Sequence, residues 1–209
     1  MISVDEAQAR IGSDVATMRI VMRPLAQLRE DVLAEDIVAR EDIPLFDATA
    51  MDGYAIRSAD VRQADAQHPV RLRVVGEIQP GVAPGRALRS GCAMRIFTGA
   101  VVPPSADAVI MQEHVQREAD MITITGPVSP GMHIRRRGEE FRAGAPVLAR
   151  GSVVTPAVSG LLATLGYARV RVYERPSVTL LVTGNELRAP SESLGPGQIR
   201  DANSFALRA

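Results

Sequence analysis

Residues 44–56 read PLFDATAMDGYAI, and this stretch marks the point at which the residue pattern of the chain changes. From about residue 47 to residue 147 short apolar runs alternate with polar residues, and glycines separate them. Val70, Leu72 and Val74, for example, alternate with arginines, as in a strand with one buried face. The sequence therefore predicts a compact β domain of short strands that begins within residues 44–56.

Two further apolar runs extend this pattern downstream. Val109 and Ile110 form one short run, and residues 121–125 (MITIT) form another. Such runs, bounded by glycine and proline, are typical of strands rather than of helices. We therefore expect both segments to be strands of the same β domain.

Helical patterns precede the predicted β domain. Ser3, followed three residues later by Glu6, is a capping-box signature and predicts that a helix begins there. Gly12 is a suitable residue to end that helix. A second helix is predicted from Pro24, because proline is favoured in a first helical turn and apolar residues downstream fall on one face.

The clearest helix signal follows the β domain. Thr155 is a good N-cap, Pro156 suits the first helical position, and Gly166 suits the position after the end. The apolar residues between them recur at helical spacing. Beyond this helix, Val170 and Val172 alternate with arginines and predict a short strand.

The last part of the chain resembles the opening of an α/β domain. Residues 177–183 (SVTLLVT) are almost continuously apolar and end at Gly184, which is typical of a strand buried in a parallel sheet. Residues 201–209 predict the start of the next helix. Parallel strands require crossover connections to further strands. We therefore expect this domain to be cut short at Ala209.

Composition excludes several classes of function. Lys plus Arg and Asp plus Glu each number 24, so no net charge favours nucleic acid or an anionic membrane surface. Aromatic residues make up only 3%, which also disfavours the stacking platforms that bind single-stranded nucleic acid. Cys92 is the only cysteine, which excludes an internal disulfide and a thiolate metal cluster. The start of the chain lacks a secretory signal pattern, and we expect a cytoplasmic protein without a membrane partner.

Asp52 is the first candidate for chemistry. An Asp-Gly pair such as Asp52-Gly53 is a common hairpin turn, and spacing alone favours that interpretation. The alternative is a carboxylate held on a rigid turn, where it binds a metal ion or orients a substrate. Both interpretations stay open at this point.

Two other segments offer groups that bind anions. Thr98-Gly99-Ala100 could present a hydroxyl group and backbone N–H groups, although an ordinary connection between strands is the simpler interpretation. Residues 135–140 (RRRGEE) combine three arginines with two acids. Arginine forks suit phosphate oxygens, but a charged run of this kind is more often a solvated surface.

Two segments near the predicted α/β strand are candidates because of their position. Residues 183–187 (TGNEL) follow the strand directly, and ligands of open α/β sheets bind at the carboxyl ends of strands. Residues 197–204 (GQIRDANS) contain Asp201, Asn203 and Ser204, which could simply cap a helix. Alternatively, these side chains bind a cation or a phosphate group at the start of that helix.

Taken together and in order, these segments resemble one family, the molybdopterin molybdenumtransferases, which includes the E domain of gephyrin. The family's motifs are F-D-N-S-A-M-D-G-Y-A, T-G-A with A-D-A-V, R-G-E-D, T-G-D-E-L and G-Q-I-x-D-S-N. The matching segments of this chain are residues 46–55 (FDATAMDGYA), 98–100 (TGA) with 106–109 (ADAV), 137–140 (RGEE), 183–187 (TGNEL) and 197–204 (GQIRDANS). The resemblance covers nearly the whole chain.

The resemblance implies an α+β fold that is mainly β. Residues 1–46 and 147–175 correspond to an elongated α/β dimerisation domain. Residues 47–146 correspond to a compact β domain inserted into it. Residues 176–209 correspond to the first strand and helix start of a truncated α/β domain that binds molybdopterin.

The resemblance also implies an activity and the residues that carry it. Members insert molybdate into adenylylated molybdopterin with Mg²⁺ and release AMP. The implied residues are listed by role: catalytic, Asp52, Thr98, Glu140 and Glu186; substrate-binding, Thr183, Gly184, Asn185, Asn203 and Ser204; and Mg²⁺-binding, Glu186 and Asp201. Glu140 stands where the family usually has aspartate, and Asn185, also in place of aspartate, removes one negative charge.

The implied partners are a second copy of the chain, in a homodimer, and other proteins of molybdenum cofactor biosynthesis such as molybdopterin adenylyltransferase. The segments of the family that bind molybdate and the pterin would lie beyond Ala209, so we expect this chain alone to be an inactive portion of the enzyme. The alternative function is a non-catalytic, dimerising assembly or scaffold module. Asn185 and the incomplete third domain favour that alternative.

Overall fold

The structure is a computed structural model that describes residues 2–209. Its helices are α1 (Val4–Asp14), α2 (Pro156–Thr164) and α3 (Asn203–Arg208). Its strands are β1 (Ile20–Pro24), β2 (Ile37–Val38), β3 (Ala48–Thr49), β4 (Gly53–Ile56), β5 (Val70–Ile78), β6 (Cys92–Ile96), β7 (Ala108–Met111), β8 (Gln116–Glu118), β9 (Met121–Ile124), β10 (Ile134–Arg135), β11 (Pro146–Leu148), β12 (Arg169–Tyr173), β13 (Leu187–Arg188) and β14 (Ile199–Arg200). The described residues are thus mainly β, as the sequence predicts.

The largest element is a six-stranded sheet in the order β7-β4-β6-β5-β9-β8. Strands β5 and β6 run parallel, whereas the other neighbouring pairs in this sheet are antiparallel. The strands predicted at Val70–Val74, at Val109-Ile110 and from Met121 are confirmed as parts of β5, β7 and β9. The smaller two-stranded sheets pair β1 with β12, β2 with β11, β3 with β10 and β13 with β14.

Strand β4 is buried on both faces of the six-stranded sheet. Tyr54 and Ile56 belong to one apolar cluster, together with Leu72 and Ile122. Ala55 points to the opposite face and belongs to a second cluster. This alternation follows from the two-residue period of a strand. The β domain therefore has apolar packing on both sides of its central strand.

Gly53 begins β4 at a point where the backbones of two strands come unusually close. A Cβ atom built on Gly53 would lie 2.0 Å from the carbonyl oxygen of Ile110 in β7. No side chain can occupy that space, so only glycine fits. The Asp52-Gly53 pair is therefore the entry to a central strand, and the hairpin-turn interpretation is wrong.

The predicted helix after the β domain is confirmed as α2. Thr155 Oγ1 accepts a hydrogen bond from the backbone N–H of Val158, Pro156 is the first helical residue, and Gly166 follows the end with φ +74°. The strand predicted at Val170 and Val172 is confirmed as β12, in which both valines are fully buried. These elements are encoded locally, because caps and alternation act within a few residues.

The first helix is confirmed with a different end. Ser3 Oγ accepts a hydrogen bond from the N–H of Glu6 at 3.1 Å, as an N-cap should. The helix continues past Gly12 to Asp14, because a glycine inside a helix costs only about 1 kcal/mol relative to alanine and does not by itself end it. The carboxylate of Glu6 pairs with Arg10 at 2.7 Å instead of closing a capping box.

The helix predicted from Pro24 is wrong. Pro24 ends strand β1, and only a single 3-10 turn follows, at Leu25–Gln27. The N–H of Leu25 donates to the carbonyl oxygen of Ala168 at 2.9 Å, which is a bond to a distant segment. Pairing with that segment outweighs the local helical spacing, because tertiary contacts override weak propensity.

The strand predicted at residues 177–183 is also wrong. These residues form no regular structure, and Val178 and Leu181 are at least 80% exposed. A strand needs a neighbour to satisfy its backbone groups. None of the other residues within 2–209 pairs with this segment.

The chain divides into two compact units. One contains residues up to Val21 together with Val172–Ala209, and the other contains Met22–Arg171. The larger unit holds the six-stranded sheet and α2, and the smaller unit holds α1, α3 and the β13–β14 pair. The finer three-domain division stated above stays a prediction.

Within residues 2–209, the helices are all too short or too polar to span a membrane.

Gly53 provides a direct stability test of the sheet. Gly53→Ala is expected to lower the free energy of unfolding by about 3 kcal/mol, at the upper end of overpacking costs, because the clash is with a backbone oxygen. Urea unfolding followed by circular dichroism measures the change.

Gly160→Ala is the matched control for that substitution. Gly160 lies inside α2, and a Cβ atom there would meet nothing within 4 Å. Because alanine favours helices more than glycine does, this variant is expected to gain about 0.5–1 kcal/mol. A Gly53→Ala variant as stable as the unaltered chain would contradict the close approach of β4 and β7.

Hydrogen exchange tests the irregular segment 177–183. The amides of Val178–Val182 are expected to exchange at rates near those of an unstructured peptide, since they have no ladder partner. The amides of Leu72 and Ile122, which lie in the core of the sheet, should exchange at least roughly a thousandfold more slowly. Comparable protection of the two regions would mean that residues 177–183 pair with a strand.

Candidate functional site

The structure brings together two predicted site residues, Asp52 and Thr98. Asp52 Oδ1 accepts a hydrogen bond from the backbone N–H of Thr98 at 2.8 Å and another from Thr98 Oγ1 at 2.7 Å. Asp52 precedes β4 and Thr98 follows β6, and these two strands are neighbours. The antiparallel pairing therefore positions the two side chains at the same edge of the sheet.

The carboxylate of Asp52 is held in its ionised form. The hydrogen bond from the Thr98 N–H lowers the pKa of Asp52 below its ordinary value, followed by the bond from the Thr98 hydroxyl and the positive charge of Arg95. Both hydrogen bonds go to Oδ1. Within residues 2–209, Asp52 Oδ2 has no hydrogen-bond partner, so it can accept one from a ligand or contact a cation.

Arg95 supports this edge of the sheet from within β6. Its guanidinium group donates to the Tyr54 hydroxyl at 3.1 Å and also bonds the side-chain oxygen of Gln112. The same group lies 5.1 Å from the ring centre of Tyr54 and 5.3 Å from that of Phe97. Such cation–π contacts fix the orientation of the guanidinium group. The positive charge near Asp52 is therefore part of the fixed structure.

The loop that carries Thr98 is anchored on strand β3. The N–H of Gly99 donates to the carbonyl oxygen of Thr49 at 2.9 Å, and the N–H of Thr49 donates to the carbonyl oxygen of Ala100 at 3.0 Å. Gly99 has φ +83°, a conformation that favours glycine. This anchoring gives the Thr98 hydroxyl a defined direction toward Asp52.

Glu140 lies in a separate network of charged groups. Its carboxylate contacts the guanidinium group of Arg135, which also donates to Glu139 at 2.9 Å. The Arg135 bond lowers the pKa of Glu139, with further help from the backbone N–H of Arg136. Among the predicted catalytic residues, Glu140 thus pairs with the guanidinium group of Arg135, whereas Asp52 accepts hydrogen bonds from Thr98.

Two aspartates complete this charged network. Asp47 accepts from the backbone N–H of Arg137 at 2.9 Å and from Arg136 Nη1 at 2.6 Å. Asp42 accepts from the N–H of Ala143 at 2.9 Å and from Arg137 Nε at 2.7 Å. In each case the backbone bond is the largest cause of a lowered pKa. Both carboxylates therefore hold the 135–143 loop in place with both of their oxygens.

The predicted residues of the smaller unit lie on and around the β13–β14 pair. Thr183, Gly184, Asn185 and Glu186 precede β13 and are exposed. The carboxylate of Glu186 folds back over Gly184, where an added Cβ atom would lie 2.6 Å from Oε1. Gly184 therefore makes room for the Glu186 side chain.

Asp201 organises the start of α3. Its Oδ1 accepts from the backbone N–H of Ser204 at 2.9 Å, and its Oδ2 accepts from the Ser204 hydroxyl. The hydroxyl bond is the largest cause of the lowered pKa of Asp201, followed by the backbone bonds of Ser204 and Asn203. The capping interpretation of this segment is thus correct for Asp201.

Glu186 and Asp201 lie at opposite ends of the short parallel ladder. The carbonyl oxygen of Glu186 accepts from Ile199, and the N–H of Asp201 donates to Arg188. The two acids are thus about three residues apart along the ladder, on the order of 10 Å. Across residues 2–209, His, Cys, Asp and Glu side chains nowhere form a group of three or more suited to hold a metal ion.

Mg²⁺ is the cofactor that the sequence implies, and its chemistry can be compared with these side chains. Carboxylate oxygens are its preferred ligands, and it often uses only one or two of them together with water and substrate phosphates. Glu186 and Asp201 each supply such oxygens. Each of them could therefore act as a carboxylate ligand of Mg²⁺, with water and substrate phosphates supplying the other ligands.

The sequence did not reveal three residues that shape the site. The sequence does not single out Arg95, because its place opposite Tyr54, its direct register partner on β4, follows only from the strand pairing. Asp47 and Asp42 were not selected as partners of the arginine run. In the sequence, the only indication of either residue is that it is an acid among short apolar runs and glycines.

Comparison with known proteins identifies the family. Residues 2–166 match the family model described as the MoeA N-terminal region (domain I and II). The chain is 44% identical over 143 residues to molybdopterin molybdenumtransferase 2 of Mycobacterium tuberculosis, an alignment covering 68% of this chain and 35% of that protein. It is 40% identical over 208 residues to the molybdopterin molybdenumtransferase of Staphylococcus aureus, covering 100% of this chain and 50% of that protein.

Solved structures give the same result for the fold. The crystal structure of the molybdopterin biosynthesis moeA protein from Pyrococcus horikoshii OT3 matches with a TM-score of 0.87 and 37% identity. The match covers 100% of this chain and 56% of that chain. This chain therefore spans between about a third and just over half of the length of the relatives described here.

The motifs, the mainly β fold and these matches agree. The chain belongs to the molybdopterin molybdenumtransferase family, and it corresponds to the N-terminal portion of its members.

Proposed function

We propose that this chain is the N-terminal portion of an enzyme that inserts molybdate into adenylylated molybdopterin and releases AMP. In this reaction water cleaves the phosphoanhydride bond to give AMP and the pterin phosphate. The two dithiolene sulfurs bind molybdenum, and one molybdate oxygen leaves as water with the two thiol protons. The substrates are thus molybdate and adenylylated molybdopterin. The relatives' shared name, molybdopterin molybdenumtransferase, supports the reaction class.

The observation that most supports this proposal is the Asp52–Thr98 pair. Asp52 and Thr98 belong to different motifs, 46 residues apart, and yet they share two hydrogen bonds. Oδ2 of this carboxylate accepts no hydrogen bond from the described residues 2–209, so it is open to a ligand. We propose that Asp52 Oδ2 accepts a hydrogen bond from the substrate and that Thr98 orients the Asp52 carboxylate through its two hydrogen bonds to Oδ1.

The other predicted residues are proposed to act by binding. Glu186 lies in an exposed, glycine-containing loop and can accept hydrogen bonds from a polar ligand. Thr183, Asn185 and Asn203 offer neutral polar groups of the kind that bind a pterin or a phosphate ester. Glu140 is proposed to act through Arg135, because its carboxylate contacts that guanidinium group.

Mg²⁺ is proposed to bind Glu186 or Asp201 together with the phosphates of the substrate. When bound, it would neutralise negative charge that develops on the phosphoanhydride. Asp201 already uses both oxygens on Ser204, so Glu186 is the more available ligand in this arrangement. A homodimer and contacts with other proteins of molybdenum cofactor biosynthesis are further parts of the proposal.

A second candidate function is a non-catalytic, dimerising assembly module. The engagement of Asp201 with Ser204 favours this candidate, because it gives that acid a structural task. So does Asn185, which carries no charge where an acid is usual in the family. The two candidates differ in whether the chain contributes groups to the reaction.

AMP release distinguishes these candidates. We expect a protein extended beyond Ala209 through the remaining family domains to release AMP from adenylylated molybdopterin in the presence of molybdate and Mg²⁺. The 209-residue chain alone is expected to be inactive in the same assay. Activity of the short chain would show that the catalytic groups all lie within it, and inactivity of both proteins would favour the assembly module.

Asp52→Ala in the extended protein tests the proposed role of that carboxylate. We expect it to lower the rate of AMP release about a hundredfold or more, as for the loss of one positioned polar group in an active site. Asp14→Ala is the control, because Asp14 is an exposed acid at the end of α1. Equal rates for the two variants would remove Asp52 from the site.

Thr98→Val tests the cause of the lowered pKa of Asp52. Losing the hydroxyl bond should raise the pKa of Asp52 toward its ordinary value, while the backbone bond from residue 98 remains. Carbon-detected NMR titration of the Asp52 carboxylate, with Asp14 as the reference, measures the shift. An unchanged pKa would mean that the hydroxyl contact does not hold in solution.

The same bond has a consequence for stability. A depressed pKa in the folded state means that Asp52 contributes stability above its unfolded pKa of about 3.9. That contribution is lost as the pH falls through the folded pKa. Thr98→Val should therefore be less stable than the unaltered chain at neutral pH, and the part of this difference that comes from ionised Asp52 should disappear in acid.

A further inference from the structure

A concave hollow in the larger compact unit is lined by none of the predicted site residues. Its volume is about 450 Å³. It is formed where β5 and β6 run parallel and by the loop that leads into β6. The residues that line it are Arg73, Val75, Arg86, Ala87, Arg89 and Cys92.

The hollow has an excess of positive charge. Arg73 uses its Nε to pair with Asp120 at 2.9 Å, which leaves its two terminal nitrogens available. Arg86 donates to the carbonyl oxygen of Val75 at 2.5 Å, a contact that leaves its charge uncompensated. Arg89 forms no ion pair with any residue in the described range 2–209. The lining residues include no acid.

The loop that carries Arg86 and Arg89 is fixed at several points. Leu88 is 2% exposed, and its N–H donates to the carbonyl oxygen of Pro104 at 2.9 Å. Further along, Asp60 accepts from Ser90 Oγ at 2.8 Å and from the N–H of Gly91 at 3.0 Å. The loop is thus held by the core on one side and by a carboxylate on the other.

The strands fix the remaining arginine beside the same loop. Arg73 and Cys92 are register partners on β5 and β6. The N–H of Arg73 also donates to the carbonyl oxygen of Gly91 at 3.0 Å. The pairing of β5 with β6 and the anchored loop therefore place all three arginines in the lining of one hollow.

We propose that this hollow binds a small molecule that carries a phosphate or diphosphate group. Guanidinium groups bind phosphate oxygens through two parallel hydrogen bonds, and they stay charged at every physiological pH. The charge of Arg73 is paired with Asp120, whereas Arg86 and Arg89 have no ion-pair partner within residues 2–209, so an anion in the hollow would compensate two positive charges. The volume is that of a pocket for a small ligand of about nucleotide size.

The proposal is independent of the proposed function. None of the lining residues belongs to the motifs that identify the family, and none contacts Asp52, Thr98 or Glu140. The hollow could therefore bind its ligand in a catalytic portion of an enzyme or in an assembly module. Its test needs no activity measurement.

Cys92 offers a direct readout on the unaltered chain. It is the only cysteine, it is partly buried, and it lines the hollow. Inorganic pyrophosphate is the probe, and the neutral reagent iodoacetamide alkylates the thiol at constant ionic strength. We expect saturating pyrophosphate to slow alkylation of Cys92 at least about fivefold, because bound ligand covers the thiol and its positive surroundings.

Substitutions identify the groups responsible. Arg86→Gln combined with Arg89→Gln should weaken pyrophosphate binding about tenfold or more, because charge-assisted hydrogen bonds are lost. Arg62→Gln is the matched control, since Arg62 is an exposed arginine outside the hollow. Rates with and without pyrophosphate are compared within each variant, because removing arginines also changes the reactivity of the thiol itself.

Three results would overturn the proposal. The first is an alkylation rate that pyrophosphate does not change in the unaltered chain. The second is equal weakening by Arg62→Gln, which would indicate general attraction of anions to the surface. The third is equal protection by sulfate or chloride, which would mean that the hollow holds any anion and does not select phosphate groups.

Discussion

The position of Asp52 depends on how closely strand β4 approaches strand β7. The absence of a side chain at Gly53 lets its backbone lie against the carbonyl oxygen of Ile110. This contact allows β4 to lie between β6 and β7, with both of its faces packed in apolar clusters. Asp52 therefore lies just before β4, at the end of the strand where the loop after β6 places Thr98 beside it. A bulkier residue at position 53 would displace the carboxylate together with the strand.

Much of the fold could be predicted because its signals are local. The caps of α2, the alternation in β5 and β12, and the short runs of β7 and β9 each act within a few residues. Two of the wrong predictions, the helix from Pro24 and the strand at residues 177–183, share one physical reason. Residues 24–32 are held by bonds to a distant segment, and residues 177–183 find no partner within the described chain. For residues 24–32 the decisive contact is with a segment far away in sequence. For residues 177–183 no such contact forms within the described chain.

The candidate site was predictable in its residues and not in its contacts. Resemblance to the family singled out Asp52 and Thr98, but nothing near either residue indicates that one hydrogen-bonds the other across 46 positions. Arg95 is a second residue whose contacts a single sequence does not predict. Its charge lowers the pKa of Asp52, and its importance follows from strand register, which a single sequence does not state.

The hydrogen bonds of the carboxylates separate the acids into two groups. Asp42, Asp47 and Asp201 each use both oxygens on neighbouring N–H, hydroxyl or guanidinium groups, so their charge is committed to holding loops.

Asp52 differs from those acids, because both of its hydrogen bonds fall on Oδ1. A lowered pKa is common to all four residues, and it therefore does not distinguish a structural acid from one that can bind a ligand. Asp52 is set apart by its second oxygen, which accepts no hydrogen bond from the described residues 2–209. A carboxylate that is held through one oxygen can accept a hydrogen bond from a ligand at its other oxygen. It keeps the bonds that position it while it does so.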